Sequence, residues 1–216
     1  MRSIVLIVDD HPLVGEAFEI SVGAAYPDLE VGRVTTAAEA EAFARVNGPR
    51  VKLVLLDLML PDATGFSALI RLQQLLPGAP IAIVSSRADA HTVALARTFG
   101  VSAYLSKSAP VSSLVNAVGA ILRGEPVAFP ETSSATPAAV DFQQRVSSLS
   151  AAQLRVLVAL ADGRLNKQIA GDMNLTEGTV KQHLSAIFKK LGVGNRSQAI
   201  LAARPYLKGL DAGDAA

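Results

Sequence analysis

Over the first 123 positions, apolar residues fall into short runs separated by longer stretches of helical period. The runs are Ser3–Val8, Val31–Thr35, Lys52–Leu56, Ile81–Ser85 and Ala103–Ser106, each of strand length. Between them, Ala37–Val46, Phe66–Leu76, Ala90–Phe99 and Val111–Leu122 repeat apolar residues at three- and four-residue intervals, as one face of a helix does. This alternation predicts an α/β fold, a five-stranded doubly wound parallel sheet with helices on both faces. Lys52–Leu56 is nearly all aliphatic, as a central strand covered on both sides must be.

The pattern breaks at residue 124. GEPVAFPETSSATPAAVD, residues 124–141, is rich in Pro, Ser, Thr and Ala and has neither period, so it reads as a flexible linker. Beyond it the period is purely helical. Ser150-Ala-Ala-Gln153 is a capping box, Leu154, Leu157, Val158 and Ala161 share one face, and Gly163 is a stop signal. Two helices follow at Asn166–Met173 and Glu177–Leu191, the second capped by Thr176, and a last one spans about Ser197–Ala203. The expected organisation is a domain at 1–123, a linker at 124–147, a small all-α four-helix domain at 148–208 and a tail at 209–216.

Charge sharpens this division. Residues 1–123 hold 10 basic and 11 acidic residues, 124–147 hold 1 and 3, and 148–216 hold 9 and 5. The whole chain is at +1, yet its last third is at +4, which makes nucleic acid a candidate partner for that third alone. There is no cysteine, which excludes disulfides and thiolate metal sites. Three isolated histidines do not make a zinc site. The apolar start is too short for a signal peptide or a membrane span, which points to the cytoplasm.

In an open parallel sheet, functional side chains gather at the carboxyl ends of the strands. Here strand one ends in Asp9-Asp10, strand three in Asp57, strand four in Ser85-Ser86, and Lys107 follows strand five. Three carboxylates placed together repel one another, and a divalent cation relieves that; hard oxygen ligands suit Mg2+. Such an ion would neutralise an incoming phosphoryl group, with Lys107 as a second positive charge and Ser85 as a hydroxyl donor. Asp57 would be the nucleophile that accepts the group. The carboxylate is expected where its strand leaves the core, neither unpaired nor deeply buried.

With VDDHPLV at 8–14, LLDLMLPDATG at 55–65, IVSSRA at 83–88 and AYLSK at 103–107, residues 1–123 resemble the receiver domain of two-component response regulators. The resemblance implies that Asp57 is the phosphoacceptor, that Asp10 binds Mg2+ directly and Asp9 through water, and that the Met59 carbonyl adds a ligand. It further implies that Ser85 and Lys107 contact the phosphoryl group and that Tyr104 moves inward on activation. Thr64 stands where the family more often has Asp or Asn, which bears on phosphorylation rates. His11 resembles a common surface residue of one subfamily, not a phosphohistidine.

On a helix of about 100° per residue, Val180, Leu184, Ile187, Phe188 and Leu191 form one apolar arc, while Lys181, Gln182, Ser185 and Lys189 oppose it and His183 and Lys190 flank it. Lys, Gln and Ser suit base edges and phosphates in a major groove. Residues 149–203, above all NKQIAGDMNLTEGTVKQHLSAIFKKLGV, are similar to LuxR-type helix-turn-helix domains. The resemblance implies that Asn166–Met173 is the scaffold helix and Glu177–Leu191 the recognition helix. It sets Lys181, Gln182 and Ser185 toward bases, with Lys167, Thr179, His183, Lys189, Lys190 and Arg196 as candidates for phosphate. It also makes the last helix, with Ala199 and Ala203, the surface on which two such domains pair. Two positions depart from the pattern: Gln153 replaces a usual Glu, and Leu165 a usual Ser, leaving Asn166 to cap the scaffold helix or leaving it less well capped.

Together these features identify a response regulator of the NarL/FixJ class: not an enzyme, but a DNA-binding transcription factor. A sensor histidine kinase is expected to phosphorylate it, and it is expected to bind DNA as a homodimer. One alternative is a regulator of the same build that works without phosphorylation. The other is an aspartyl-phosphate enzyme of haloacid-dehalogenase type, which needs a second Asp two residues on, where this chain has Met59.

Overall fold

Val, Leu and Ile fill the strands because both faces of the sheet are covered. In the computed structural model of the chain, described for residues 2–63, 66–86, 88–130, 144–146 and 148–207, β1 is Ser3–Val8, β2 Leu29–Val34, β3 Val51–Leu56, β4 Ile81–Ser85 and β5 Ala103–Ser106. All pairings are parallel, in the order β2-β1-β3-β4-β5. The expected readings of Thr64, Gly65, linker residues 131–143 and the tail lie outside the described residues.

The helices between the strands are α1 (Pro12–Ala25), α2 (Ala37–Asn47), α3 (Ser67–Leu75), α4 (Ala90–Thr98) and α5 (Val111–Leu122). The sequence pattern named no helix at α1; proline at its first turn starts it, where a missing N–H costs nothing. Val5, Ile7, Leu53, Leu55, Ala82, Val84 and Ala103 form one buried face with Phe18 and Val22 of α1 and Leu114, Val118 and Ile121 of α5. The alternate set, including Leu6, Val54, Leu56 and Ile83, is buried as well and points the other way. The second strand begins two residues earlier than its apolar run.

By proximity the chain divides into two compact units, Met1–Asp89 with Gly100–Thr132, and Ala90–Phe99 with Ser133–Ala216. The second contains α6 (Ala151–Ala161), α7 (Asn166–Asp172), α8 (Glu177–Leu191) and α9 (Arg196–Leu207), close to the expected four helices. At the start of α6 the Gln153 N–H donates to Ser150 Oγ at 3.2 Å, and the Ser150 N–H donates to Gln153 Oε1 at 3.0 Å. Thr176 accepts from the Thr179 N–H at 3.1 Å. Gly163 and Gly192 end their helices at φ of +79° and +70°, a conformation that favours glycine.

Two expectations change here, and one left open is decided. Neither Leu165 nor Asn166 caps α7 with its side chain: Gln168 Oε1 instead reaches back to the Leu165 N–H at 2.8 Å, half of a capping box. Leu165 itself is 66% exposed. Phe188 is only partly buried, whereas Val180, Leu184, Ile187 and Leu191 are fully so. Ala199 and Ala203 are buried within a helix packed on α6 and α8, so they cannot be the pairing surface; the exposed large apolar side chain of α9 among the described residues is Leu201, at 70%. Small side chains there allow close helix approach instead. Among the described residues no helix is long and apolar enough to cross a membrane.

Ser150→Ala removes one member of the α6 cap and should cost about 1 kcal/mol, read as a lower denaturation midpoint for the helical unit with the sheet unit unchanged.

Candidate functional site: an acidic pocket and a basic helix face

The ladder continues one residue past β1 and β3. The Asp9 N–H donates to the Val34 carbonyl at 3.1 Å, and the Asp57 N–H to the Val8 carbonyl at 2.9 Å. Both carboxylates are therefore held at neighbouring strand ends by backbone geometry. On the other side the Lys107 N–H donates to the Ser85 carbonyl at 2.9 Å, which fixes where the lysine side chain begins. Its ammonium reaches Asp57 Oδ2 at 2.6 Å and Asp9 Oδ1 at 2.9 Å.

Asp57 is 1% exposed, and Asp9, Ser85 and Tyr104 are also buried. The expectation that Asp57 avoids deep burial is thus corrected: the strand carries it fully inside. The expectation that it is paired holds, through Lys107. The Met59 N–H donates to Asp57 Oδ1 at 3.1 Å, holding the following loop against the carboxylate. Burial pushes the Asp57 carboxyl above its ordinary value, while Lys107 and the Met59 N–H pull it down and Asp9 raises it further.

Ligand atoms of Asp9, Asp10, His11 and Asp57 lie within 4.8 Å of one another. His11 was missed as a member. Its side chain is 58% exposed, yet Nδ1 lies 2.8 Å from Asp10 and 3.3 Å from Asp9. Adjacency to Asp9-Asp10 was the only signal in the chain. Asp9 Oδ2 and Asp10 Oδ1 are buried and lack a hydrogen bond of acceptable geometry. Asp9 Oδ2 lies 2.8 Å from the Lys107 ammonium and Asp10 Oδ1 2.8 Å from His11 Nδ1, and the surplus of carboxylate oxygens over cations in this set fits a hard divalent cation.

In the helical unit, Lys181, Gln182, Ser185 and Lys189 are exposed on α8 and fall within about 100° of arc, opposite the buried Val180, Leu184, Ile187 and Leu191. Lys167 is exposed on α7, and Thr179 and His183 are partly buried. The Thr179 hydroxyl lies 2.9 Å from that of Thr176. Lys190 and Arg196 stand apart. Lys190 Nζ donates to the Ser148 carbonyl at 2.6 Å and to Gln153 Oε1 at 2.9 Å. Arg196 donates to the Arg164 carbonyl at 2.6 Å and to Asn166 Oδ1 at 3.4 Å.

The family model for the response regulator receiver domain matches residues 5–119, and that for bacterial regulatory proteins of the luxR family matches residues 147–203. The chain belongs to the response regulators of the NarL/FixJ class. It is 35% identical over 210 residues to the glycerol metabolism activator of Pseudomonas putida, covering 92% of this chain and 94% of that one. It is 30% identical over 206 residues to the response regulator protein VraR of Staphylococcus aureus, covering 92% and 95%. A LuxR family DNA-binding response regulator from Silicibacter pomeroyi superposes with a TM-score of 0.52 at 30% identity, over 61% of this chain and 99% of that one. RcsB of Salmonella enterica serovar Typhimurium, solved on promoter DNA with BeF3−, gives 0.55 at 20% identity over 96% and 98% and shows the shared fold.

As a response regulator the chain joins a receiver domain to a DNA-binding domain, so the acidic pocket and the basic helix face lie in the two units whose chemistry differs most.

The raised carboxyl of Asp57 has a pH signature. In the unfolded chain it ionises near its ordinary value of about 3.9; in the folded receiver ionisation is disfavoured, so the penalty appears as pH rises through the folded value and is absent below about 3.9. In metal-free buffer, Asp57→Asn should therefore raise the melting temperature of the receiver at neutral pH, with the gain fading toward pH 4. Equal gains at both pH values would contradict this origin.

Proposed function

We propose that residues 1–123 are the phosphoacceptor domain, with Asp57 as acceptor, and that 148–208 bind promoter DNA as a homodimer, with 124–147 as linker. The buried Asp57–Lys107 pair clustered with the carboxylates of Asp9 and Asp10 is the observation that supports it. The donor is the phosphohistidine of a sensor histidine kinase. A carboxylate oxygen of Asp57 attacks phosphorus, the P–N bond breaks as the O–P bond forms, and the imidazole departs.

Asp9, Asp10, Asp57 and the Met59 carbonyl would hold Mg2+, which when bound supplies positive charge beside the phosphoryl oxygens. Lys107, already 2.6 Å from the Asp57 carboxylate, exchanges that partner for the oxygens of the transferred group. Ser85 donates its hydroxyl from the adjacent strand end. Tyr104 is the switch aromatic, and its burial fits an inward state whose population phosphorylation raises. The protein is a regulator acting in the cytoplasm and does not turn over an external substrate.

On DNA, Lys181, Gln182 and Ser185 face base edges, the role that the resemblance to LuxR-type domains implies and that their exposure on α8 allows. Lys167, Thr179, His183, Lys189, Lys190 and Arg196 are the phosphate set. Of these, Lys167 and Lys189 present exposed ammonium groups, whereas Lys190 and Arg196 serve the domain's own packing first and reach phosphate only as far as those contacts allow.

Two measurements test this. Acetyl phosphate with Mg2+ should phosphorylate the wild-type chain and leave Asp57→Asn unmodified; a labelled Asp57→Asn would mean another acceptor. Lys189→Ala should weaken binding to every DNA sequence alike and reduce the salt slope by about 0.9, whereas a loss confined to one operator would assign it to base reading.

A further inference from the structure

The loop after Asp57 is anchored at a point the phosphoacceptor chemistry does not use. Asp62 Oδ1 accepts from the Ala37 N–H at 2.8 Å, and Asp62 Oδ2 from the Ala38 N–H at 2.9 Å. These are the first two residues of α2, whose N–H groups have no partner inside the helix. A carboxylate spanning both makes two charge-assisted bonds at the positive end of the helix dipole.

The rest of that helix start is satisfied locally. Thr36 Oγ1 accepts from the Glu39 N–H at 3.1 Å, and Glu39 Oε2 accepts from the Thr35 N–H at 2.8 Å. Thus α2 has a complete cap of its own for its third N–H and borrows Asp62 for the first two. A helix needing only a cap would find one nearby in sequence; this one takes it from a loop 25 residues away. Further along, Glu41 Oε1 of α2 lies 2.6 Å from Arg71 Nε of α3, so the helix that follows the loop is also tied to α2.

Asp57 to Asp62 is then a span of six residues fixed at both ends and in between. Met59 is bonded to the Asp57 carboxylate, Leu58 and Leu60 are buried, and Asp62 is bound to α2. Met59 lies between the two anchors, and on the phosphoacceptor reading its carbonyl would be offered to the cation. With the chain this short and pinned twice, the Met59 peptide has little freedom to turn away from the pocket, so the ligand is oriented before the ion arrives.

We infer that Asp62 is a positioning residue for the phosphoacceptor pocket: by locking the loop to α2 it presets the Met59 carbonyl for a divalent cation. This rests on the phosphoacceptor reading above. Asp62 touches neither the cation nor the phosphoryl group and acts through the loop.

The full-length chain is titrated with Mn2+ as a paramagnetic stand-in for Mg2+, and binding is read from loss of the free-ion EPR signal. Asp62→Ala should bind Mn2+ about tenfold more weakly, the low end for loss of an outer partner of a metal ligand. Asp62→Asn keeps one neutral acceptor and should fall between. Thr36→Ala removes a cap from the same helix end and should lower the melting temperature while leaving Mn2+ affinity unchanged. Equal affinity in the wild type and Asp62→Ala, with a lower melting temperature in both alanine variants, would make Asp62 a helix cap only and overturn the proposal. Should Asp62→Ala fail to fold, Asp62→Asn decides: weakened affinity supports the proposal, and unchanged affinity overturns it. A wild-type chain that binds no Mn2+ would overturn the phosphoacceptor reading itself, and with it this proposal, before any variant is compared.

Discussion

A carboxylate at 1% exposure beside the aliphatic centre of a parallel sheet is tolerable because Lys107 meets it at 2.6 Å. Unpaired burial of such a charge would cost far more than one domain can spare. The pair also sets the conditions for its neighbours. With Lys107 shared between Asp57 and Asp9, one ammonium faces three aspartates, and the pocket keeps a negative surplus at the mouth where Asp10 and His11 reach solvent. The pocket is thus paired enough to fold while its carboxylates still outnumber its cations.

The loop geometry follows from the same constraint. Asp57 must stay at the end of β3, so the chain leaving it has to turn within a few residues, and each contact along that turn shapes the pocket. Met59 bonds back to the carboxylate, Leu58 and Leu60 seal the turn below, and Asp62 joins it to α2. Positions that read as ordinary turn residues thereby become part of the input site.

In the helical unit the governing constraint is orientation. The buried arc of α8 leaves one exposed arc, and its carboxyl end is held by contacts outside the helix-turn-helix. Arg145 donates to the Leu191 carbonyl at 3.2 Å, a cation at the negative end of a helix, and Lys190 reaches the Ser148 carbonyl and Gln153. These contacts limit the rotation of α8 and so fix which face it presents. They also show why charge counting overstates a binding face: two of the basic residues nearest α8 are already engaged by the protein.

Much of this was legible along the chain because it is encoded at short range. Strand runs, helical periods, the Ser150–Gln153 and Thr176 caps and the strand-end positions of Asp9, Asp57, Ser85 and Lys107 all depend on residues close in sequence, as do the two faces of α8. What stayed hidden depends on distant neighbours. Nothing local says that Ala199 and Ala203 pack inward, that Gln168 takes over the cap that Leu165 cannot make, or that His11 turns into the acid cluster. Nor does LPDATG reveal that Asp62 binds α2, since the matching groups are backbone N–H groups, which every sequence carries. The sequence by itself determined the architecture, the order of the chemical groups and the family, because periodicity and motif spacing survive without coordinates. Only the tertiary structure decided how deeply Asp57 is buried, which cations are already engaged and which residues hold the pocket's loop, because burial and pairing are properties of the space between elements.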